Sequence, residues 1–369
     1  MTETVGRYQL RILPLKMCPD IGDDWNRLEE HCEASFFLSW SWISTWLSTY
    51  QPEVDVLKVY SGGALVALSL LSRSHFSQWK RFHSRRLHIH QTGDPAQDQI
   101  WTEYNGILAC PEHESAIYAI LLPYLLEYYP DWDELVIGAV SKKVAEQLAH
   151  SSNLKSLVLW QSPSYGVDLI KLKAEFPDYL SSLSRNTRYQ IRRSFKLYEA
   201  EGGLSLHFAH DVEEALVFFK QAGPLHLEKW GAGQGESGYS NPEFIKFHEN
   251  LIRRAFPLKQ VDIIKVCCNS GVVGYLFNFL YRGQVYFYLS GLKSEADSKL
   301  KPGLCAHSLA IQHYMDEGYH FYDFMGGQDR YKASLGQEHE ELFHIALQKN
   351  KLKFRIEAFL RGMKQSFKS

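Results

Sequence analysis

The chain has 369 residues, of which 45% are hydrophobic and 14% aromatic, and this composition excludes a disordered protein. At roughly 100–200 residues per domain, its length predicts two domains. The 40 Lys and Arg residues nearly balance the 42 Asp and Glu residues, so a formal net charge of −2 excludes a broad basic surface for nucleic acid or anionic membranes. We therefore expect any basic site to be local.

The first residues, MTETVGRYQLRILPL, lack the apolar core of a signal peptide. No apolar stretch approaches the roughly 18 residues that span a bilayer, so we expect no transmembrane segment and a cytoplasmic location. The adjacent Cys267 and Cys268 would point to opposite faces of a strand, and the six cysteines form no C-x-x-C pair. We expect free thiols and no metal site, because His83, His88 and His90 lack the further ligands of a metal centre.

Two segments of the chain resemble each other. Residues 56–73 (VLKVYSGGALVALSLLSR) and 263–282 (IIKVCCNSGVVGYLFNFLYR) each combine an apolar strand, a glycine-containing turn and a second apolar strand. This pattern predicts two β-hairpins, with turns at Gly62-Gly63 and Ser270-Gly271.

The segments after the two hairpins are also parallel. A helix at about 113–129 precedes the strand DELVIGAV, and a helix at about 304–317 precedes the strand HFYDFMGG. The order predicts an α+β (mixed α/β) fold in which one kind of domain occurs twice. We place the N-terminal domain at 1–165 and the C-terminal domain at 166–369.

Three further helices are predicted before the second hairpin. The first covers 178–200 after Pro177, the second covers 211–230 with Asp211 as its N-cap, and the third covers 242–255. The first of them carries a stripe of cations at helical spacing, formed by Arg185, Arg188, Arg192 and Lys196 and flanked by Arg193. The stripe could bind a phosphate-bearing substrate, the other domain or RNA, or it could be a solvated face.

A Pro-Gly pair marks a candidate anion site. Pro302-Gly303 stands at the start of a helix, where free backbone N–H groups and the helix dipole favour an anion. Lys299 and Lys301 add positive charge, and the glycine allows close approach of a pyrophosphate such as that of acyl-CoA. The alternative is a plain turn before a core helix.

Candidate catalytic groups lie at the end of the last predicted strand and near the end of the second predicted helix. Asp323 ends a strand and could act as a base, and Tyr331, beside Lys332, could protonate a leaving thiolate. His226 and Trp230 lie four residues apart on one helix face, and His226 is a second candidate base. Each of these residues could equally have a structural role.

Seven segments occur in the order typical of one family. They are FFLSWSWISTWLSTY (36–50), LSRNTRYQIRRSFKLYEAEGG (183–203), LHLEKWG (225–231), GVVGYLFNF (271–279), YFYLSG (286–291), KPGLCAHSLAIQHYMDEGYHFYDFMGG (301–327) and YK (331–332). On these segments the chain resembles the CelD/BcsL-like acetyltransferases of cellulose biosynthesis, a GNAT-superfamily group related to the FemAB peptidyltransferases.

The resemblance implies tandem GNAT-like domains, each with a mixed central sheet flanked by helices, and a C-terminal catalytic half beside a degenerate N-terminal one. It implies an acyltransferase, an N-acetyltransferase in the first instance, that uses acetyl-CoA or another acyl-CoA, or an acyl-carrier protein. The acceptor would be an amine or hydroxyl of a small molecule or of a cell-envelope or polysaccharide precursor. Nucleic acid is not an expected partner.

The resemblance also implies positions for the donor. In GNAT enzymes a loop of the form Q/R-x-x-G-x-G/A enters a helix and holds the pyrophosphate. The corresponding residues run from Leu300 to Cys305, where Gly303 fits the pattern and the two end residues depart from it. We therefore assign donor binding to Lys299, Lys301, Gly303 and Leu304.

The acyl and acceptor positions are less directly marked. A splayed strand within Tyr286–Gly291 would polarise the thioester carbonyl. We assign substrate binding to Arg188, Arg192, Trp230, Tyr288 and Lys332. Two alternatives stay open, namely FemAB-like transfer from aminoacyl-tRNA and a GNAT-like binding protein without catalysis.

Overall fold

A computed structural model describes residues 2–78, 82–231, 233 and 237–357. The chain divides into two compact units. The first comprises Met1–Gln161 and Leu342–Ser369, and the second comprises Ser162–Glu341.

The first unit is a mixed sheet flanked by helices. Its strands are β1 (Thr2–Val5), β2 (Tyr8–Pro14), β3 (Val54–Ser61), β4 (Ala64–Gln78), β5 (Phe82–Ile89), β6 (Leu108–Ala109) and β7 (Glu134–Ser141), and its helices are α1 (Ile21–Glu29), α2 (Trp40–Tyr50), α3 (Pro111–Tyr128) and α4 (Lys142–His150). The strand order is β1-β2-β3-β4-β5-β7, with β6 beside β4. Strands β5 and β7 run parallel, and the other adjacent pairs run antiparallel.

The second unit has the same kind of architecture. Its strands are β8 (Lys155–Asp168), β9 (Ser205–Phe208), β10 (Val261–Cys268), β11 (Gly271–Tyr281), β12 (Gln284–Leu292), β13 (Phe321–Gly326) and β14 (Gln337–Gln348), and its helices are α5 (Leu169–Glu175), α6 (Tyr179–Ser182), α7 (Arg185–Glu199), α8 (Val212–Trp230), α9 (Pro242–Ala255), α10 (Pro302–Asp316) and α11 (Arg330–Leu335). Two of these strands belong to the unit only in part, β8 over residues 162–168 and β14 over residues 337–341. The order β8-β13-β12-β11-β10-β9 includes one parallel pair, β12 with β13.

One order of elements occurs in both units. Apart from the short β6, the series β2-α1-α2-β3-β4-β5-α3-β7-α4 repeats as β9-α8-α9-β10-β11-β12-α10-β13-α11. In both series the parallel pair joins the last strand of a three-stranded meander to the strand after the next helix. The predicted mixed α/β fold, used twice, is therefore confirmed.

The domain division differs from the predicted one at two places. We predicted the boundary between 165 and 166, whereas the units divide between Gln161 and Ser162. The segment from Leu342 onwards, which we assigned to the C-terminal domain, groups with the first unit. The reason is strand pairing, because residues 342–348 of β14 pair with β7, 134–141, over most of its length.

The local signals in the sequence account for most element ends. The hairpin turn at Gly62-Gly63 has positive φ at both positions, which glycine adopts without steric cost. Asp211 caps α8 as predicted, since its side chain accepts the Glu214 N–H. The helix predicted over 178–200 is instead two helices, because Ser184 accepts the Thr187 N–H and starts α7 as a new helix.

The core of the second unit surrounds α10. Ile311 of this helix belongs to one cluster of buried apolar side chains with Leu276, Val285 and Phe324 of the sheet and Ile191 of α7. No helix among the described residues is both long and apolar enough to cross a membrane.

Candidate active site

The candidate site begins where two parallel strands separate. Strands β12 and β13 pair from Gln284–Phe321 to Tyr286–Asp323, and β12 then continues to Leu292 without a further β13 partner. On its other side β12 has a bulge, because Phe277 lies opposite Leu289 whereas Asn278 lies opposite Phe287. Tyr288 is the extra residue, and such bulges re-aim backbone groups next to active sites.

A cleft of about 540 Å³ lies at this end of β12, within the second unit. Its walls are the end of β12, the loop that follows, the first turns of α10, the end of α8 and one residue of α11. The lining residues are Leu225, Glu228, Lys229, Ser290, Leu292, Lys293, Ser294, Glu295, Leu300, Lys301, Pro302, Gly303, Leu304, His307 and Tyr331.

The start of α10 supplies hydrogen-bond donors to the cleft. Pro302 is the first helical residue, so the next free N–H groups are those of Gly303 and Leu304, which have no acceptor within the helix. The side chain of Lys301, the N-cap residue, does not cap these groups. The backbone N–H of Lys301 donates to Ser194 Oγ at 2.9 Å, and this bond fixes the helix start against α7.

The charges around the cleft are unevenly paired. Lys293 forms an ion pair with Glu295 at 3.4 Å, and Glu295 also accepts the Tyr198 hydroxyl. Among the described residues, neither Lys301 nor Lys229 has a carboxylate within 4.0 Å, and Glu228 has no cation within that distance. The cleft therefore offers two cations for an anionic ligand and one carboxylate that could accept a proton.

Aromatic rings form the inner wall. Tyr331 stacks on His307 with ring centroids 5.7 Å apart and an interplanar angle of 14°. The Lys229 ammonium lies 5.7 Å from the Tyr331 centroid and 4.8 Å from that of Trp230. Burial, and then the carboxylate of Asp329, raise the pKa of the Tyr331 phenol, which therefore stays protonated at neutral pH.

The predicted donor-binding residues are largely brought together. Lys301, Gly303 and Leu304 line the cleft, whereas Lys299 is exposed in the preceding loop and does not line it. Cys305, which departs from the GNAT pattern, is fully buried and faces Ile191 of α7. The departure thus lies on the side of α10 that packs in the core.

Asp323 does not line the cleft. Its side chain is buried, and Oδ1 accepts the Met325 N–H at 2.6 Å and contacts His339 Nε2 at 3.5 Å. Burial alone would lower the pKa of His339, but the hydrogen bond to Asp323 and its carboxylate charge outweigh burial and raise that pKa. Ser164 Oγ also contacts Nε2, at 3.1 Å, so the same ring nitrogen of His339 serves both partners.

His226 is also outside the cleft lining. It is buried, and its Nδ1 lies 2.8 Å from Ser237 Oγ. Burial, and then the charge of Lys229, lower its pKa to about 4, so the imidazole is neutral at pH 7. Of the three predicted catalytic residues, Tyr331 is the one that the structure places in the cleft.

The predicted substrate-binding residues are dispersed. Trp230 is 41% exposed at the end of α8, and Tyr288 packs among the rings of Phe279 and His248. Arg192 is exposed on α7, whereas Arg188 donates to the Ser181 carbonyl at 3.0 Å.

Lys332 is buried in the same unit. Its Nζ donates to the Gly326 carbonyl at 2.5 Å and so joins α11 to the end of β13.

Several of the residues that line the cleft were not predicted from the sequence. Lys229 and Glu228 lie inside the quoted segment LHLEKWG, and His307 lies inside KPGLCAHS. His307 follows Gly303 by four residues and therefore shares its helix face, which is the signal that could have found it.

The comparisons with known proteins agree with this fold. Residues 185–333 match the family model described as the acetyltransferase (GNAT) domain. No curated protein sequence matches the chain. The second unit thus carries a GNAT-type acetyltransferase domain, and the cleft lies within the matched segment.

Solved structures with the same fold are distant in sequence. FemX has 11% identity and a TM-score of 0.55, over 87% of this chain and 95% of its own. The L-PGS of Bacillus licheniformis has 13% identity and a TM-score of 0.53, over 92% and 96%. The C-terminal domain (DUF2156) of an Agrobacterium fabrum protein assigned as a lysylphosphatidylglycerol synthetase has 10% identity and a TM-score of 0.54, over 94% and 95%. These similarities show the fold.

The cysteines and histidines form no evident metal centre in the part of the chain that the structure describes. All six cysteines are free thiols, and no group of three His, Cys, Asp or Glu side chains could hold a metal ion. His88 contacts Ser74 Oγ at 2.8 Å, and His90 contacts Asn105 Oδ1 at 3.2 Å.

Proposed function

We propose that the second unit transfers an acyl group from acyl-CoA, with acetyl-CoA as the simplest donor, to an amine or hydroxyl of a small molecule or cell-envelope precursor. The observation that carries the proposal is the cleft, which joins the N-terminus of α10 to the point where β12 leaves β13. A helix N-terminus suits a pyrophosphate, and a strand that has lost a neighbour has backbone groups for a thioester arm.

The donor end of the cleft fits an anionic group. The N–H groups of Gly303 and Leu304 would bind the pyrophosphate together with Lys301, which has no competing carboxylate within 4.0 Å among the described residues. An acyl-carrier protein would present the same thioester on its phosphopantetheine arm. The CelD/BcsL-like subtype and a polysaccharide precursor as acceptor belong to this proposal.

The chemical step needs one base and one acid. The acceptor nitrogen or oxygen attacks the thioester carbon, the new C–N or C–O bond forms, and the C–S bond breaks. Glu228 accepts the proton that the acceptor loses, and the protonated Tyr331 phenol donates a proton to the departing thiolate.

In its described residues, the first unit lacks the features that we assign to the acyl-CoA cleft of the second unit. After the pairs from Arg86–Glu134 to His88–Val136, the Gln91 side chain accepts the Gly138 N–H at 3.0 Å, and Asn105 N donates to the Ala139 carbonyl. The position equivalent to the cleft is thus filled by the unit's own groups. The first turn of α3 carries Glu112 and Glu114, which would repel a phosphate. We infer that this unit is the degenerate one.

The test is binding and turnover with labelled acetyl-CoA. We expect calorimetry to show acetyl-CoA binding, and mass spectrometry to show acyl products with amine and hydroxyl acceptors. Glu228→Gln should lower the turnover number and leave acetyl-CoA affinity within about twofold, because Glu228 acts on the acceptor. Neither binding nor turnover in the wild type would overturn the CoA proposal.

A second candidate donor is aminoacyl-tRNA. On α7, Arg185, Arg192 and Lys196 are exposed and, among the described residues, have no carboxylate within 4.0 Å. A row of free cations favours a phosphate backbone. Two structures of the same fold bear the name L-PGS or lysylphosphatidylglycerol synthetase, which denotes an aminoacylated lipid product.

The two donors can be separated by one triple variant. If tRNA is the donor, Arg185→Ala/Arg192→Ala/Lys196→Ala should abolish salt-dependent tRNA binding, with acetyl-CoA binding absent in the wild type. If acyl-CoA is the donor, the same variant should bind acetyl-CoA normally. A protein that binds neither ligand would support the non-catalytic alternative.

A further inference from the structure

His307 occupies a closely defined position in the inner wall of the cleft. Its side chain is 1% exposed, yet it belongs to the lining of the cleft. Four aromatic rings surround it, with centroids 4.4 Å (Phe287), 5.2 Å (Phe324), 5.7 Å (Tyr331) and 6.2 Å (Tyr322) away. Phe287 is the first residue of β12 after the last pair with β13, so the imidazole lies where the strands separate.

The hydrogen bond between His307 and Tyr322 decides which ring nitrogen carries the proton. His307 Nδ1 lies 3.1 Å from the Tyr322 hydroxyl, and among the described residues this hydroxyl has no other hydrogen-bond partner. Tyr322 is fully buried, and burial raises the pKa of its phenol well above 10. The phenol therefore keeps its proton and must donate it to Nδ1, because a buried O–H without an acceptor is strongly disfavoured.

The neutral imidazole then carries its own proton on Nε2. Among the described residues Nε2 has no hydrogen-bond partner, and His307 lines the cleft while its Nδ1 contacts Tyr322. Burial, and then the charges of Lys229 and Lys332, lower the pKa of His307 to about 3. The ring is thus a fixed neutral donor at physiological pH rather than a group that exchanges protons.

We propose that His307 donates its Nε2–H to a carbonyl oxygen of the bound thioester donor, and that Tyr322 is the positioning residue that sets this tautomer. The proposal rests on the acyl-CoA function given above. Two carbonyls share the required chemistry, namely the acyl carbonyl of the thioester and an amide carbonyl of the pantetheine arm. A donor fixed before binding needs no reorganisation when charge develops on the oxygen.

The tautomer can be tested without any ligand. Long-range ¹H–¹⁵N NMR on the ¹⁵N-histidine-labelled full chain should show His307 as the Nε2–H tautomer at every pH from 5.5 to 8. Tyr322→Phe removes the hydroxyl, so the Nδ1–H tautomer should gain population. A wild-type His307 that carries its proton on Nδ1, or that titrates in this range, would overturn the proposal whether or not the protein uses acyl-CoA.

The ligand contact is tested by comparing acetyl-CoA with CoA, which has the arm amides but no acyl carbonyl. His307→Phe/Tyr322→Phe removes both polar groups together and leaves no buried hydroxyl without a partner, which favours folding. His307→Gln restores an N–H donor, and His313→Phe is the matched control on the same helix, outside the cleft lining.

Loss of one neutral hydrogen bond is expected to lower the affinity about three- to tenfold. A loss for acetyl-CoA alone, with a lower turnover number and partial rescue by His307→Gln, assigns the contact to the acyl carbonyl. An equal loss for both ligands assigns it to the pantetheine amide. Unchanged affinities and turnover in the double variant would refute the contact, whereas failure of wild-type acetyl-CoA binding would refute the proposed function.

Discussion

Tyr286 and Asp323 form the last residue pair at which β12 and β13 run side by side as parallel strands. On one side of this pair the sheet is continuous, and on the other side β12 borders the cleft. Asp323 fixes the separation from its own strand, because its carboxylate accepts the N–H of Met325, a residue with φ of +61°. The carboxylate that we predicted as a base thus stabilises the backbone at the point where β13 ends its pairing with β12.

Substitution of Gly303 by alanine should affect protein stability and acetyl-CoA affinity in different ways. An alanine Cβ at this position would lie 3.3 Å from the Leu292 side chain, which can shift, and alanine is better than glycine in a helix by about 0.5–1 kcal/mol. We therefore expect Gly303→Ala to fold with equal or greater stability and to bind acetyl-CoA about tenfold more weakly, because the methyl group obstructs the helix N–H groups. Urea unfolding and calorimetry measure the two effects. Equal affinity in the variant would place the anion elsewhere.

Lys301 and Lys299 form a matched pair of lysines two residues apart. Lys301 lines the cleft, and Lys299 does not. Lys301→Glu should weaken acetyl-CoA binding at least tenfold at low salt, since a cation is replaced by an anion beside the pyrophosphate. Lys299→Glu should change the affinity less than twofold, and high salt should reduce the difference between the variants. Equal effects would mean that the charge acts through the general field and not through the cleft.

The parts of the site that sequence could predict are those set by local signals. The Pro-Gly helix start, the glycine hairpin turns and the Asp211 cap depend on residues within one turn of each other, and the structure contains all three. Tyr331 follows a strand end, as many site residues do, and lines the cleft.

The remaining features depend on contacts between distant segments. Lys332 was predicted at a substrate site, but the carbonyl of Gly326 holds its ammonium inside the unit. The neutrality of His307 depends on burial by Phe287, Phe324 and Tyr331, which no spacing in the sequence encodes. Likewise, β14 pairs with β7 about 200 residues earlier, and this pairing places the last segment with the first unit.

Tyr331 should affect the chemical step more than donor binding. Burial and the neighbouring Asp329 carboxylate raise its pKa, so the phenol remains an acid throughout the physiological range. Tyr331→Phe should lower the turnover number about 10²-fold, the lower end of what a general acid contributes, with acetyl-CoA affinity changed little. Steady-state kinetics with a thiol reagent for released CoA gives both quantities. With an acyl donor whose leaving thiol is more acidic than that of CoA, the substitution Tyr331→Phe should lower the rate less. An equal loss of rate with that donor and with acetyl-CoA would argue against proton transfer to the sulfur.

His248 should make the fold sensitive to acid. It is fully buried against Phe244, and burial lowers its pKa from 6.5 to about 3. Between these values the unfolded chain binds more protons than the folded one, so the free energy of unfolding falls as the pH falls, by roughly 1.4 kcal/mol per pH unit for such a histidine. The destabilisation caused by this histidine is absent above pH 6.5 and reaches its full size near pH 3.

Replacement of His248 by phenylalanine should therefore flatten the pH dependence of stability. The measured quantity is the fall in the free energy of unfolding, determined in urea, between pH 6.5 and pH 4.5. We expect this fall to be about 2–3 kcal/mol smaller for His248→Phe than for the wild type. At pH 7 the variant loses the hydrogen bond between the ring and the Phe244 carbonyl, so the change in slope, and not the absolute stability, is the diagnostic quantity. His31→Phe, at an exposed position, serves as the matched control and should keep the wild-type slope. The same slope in His248→Phe and in the wild type would mean that the acid sensitivity arises from other groups.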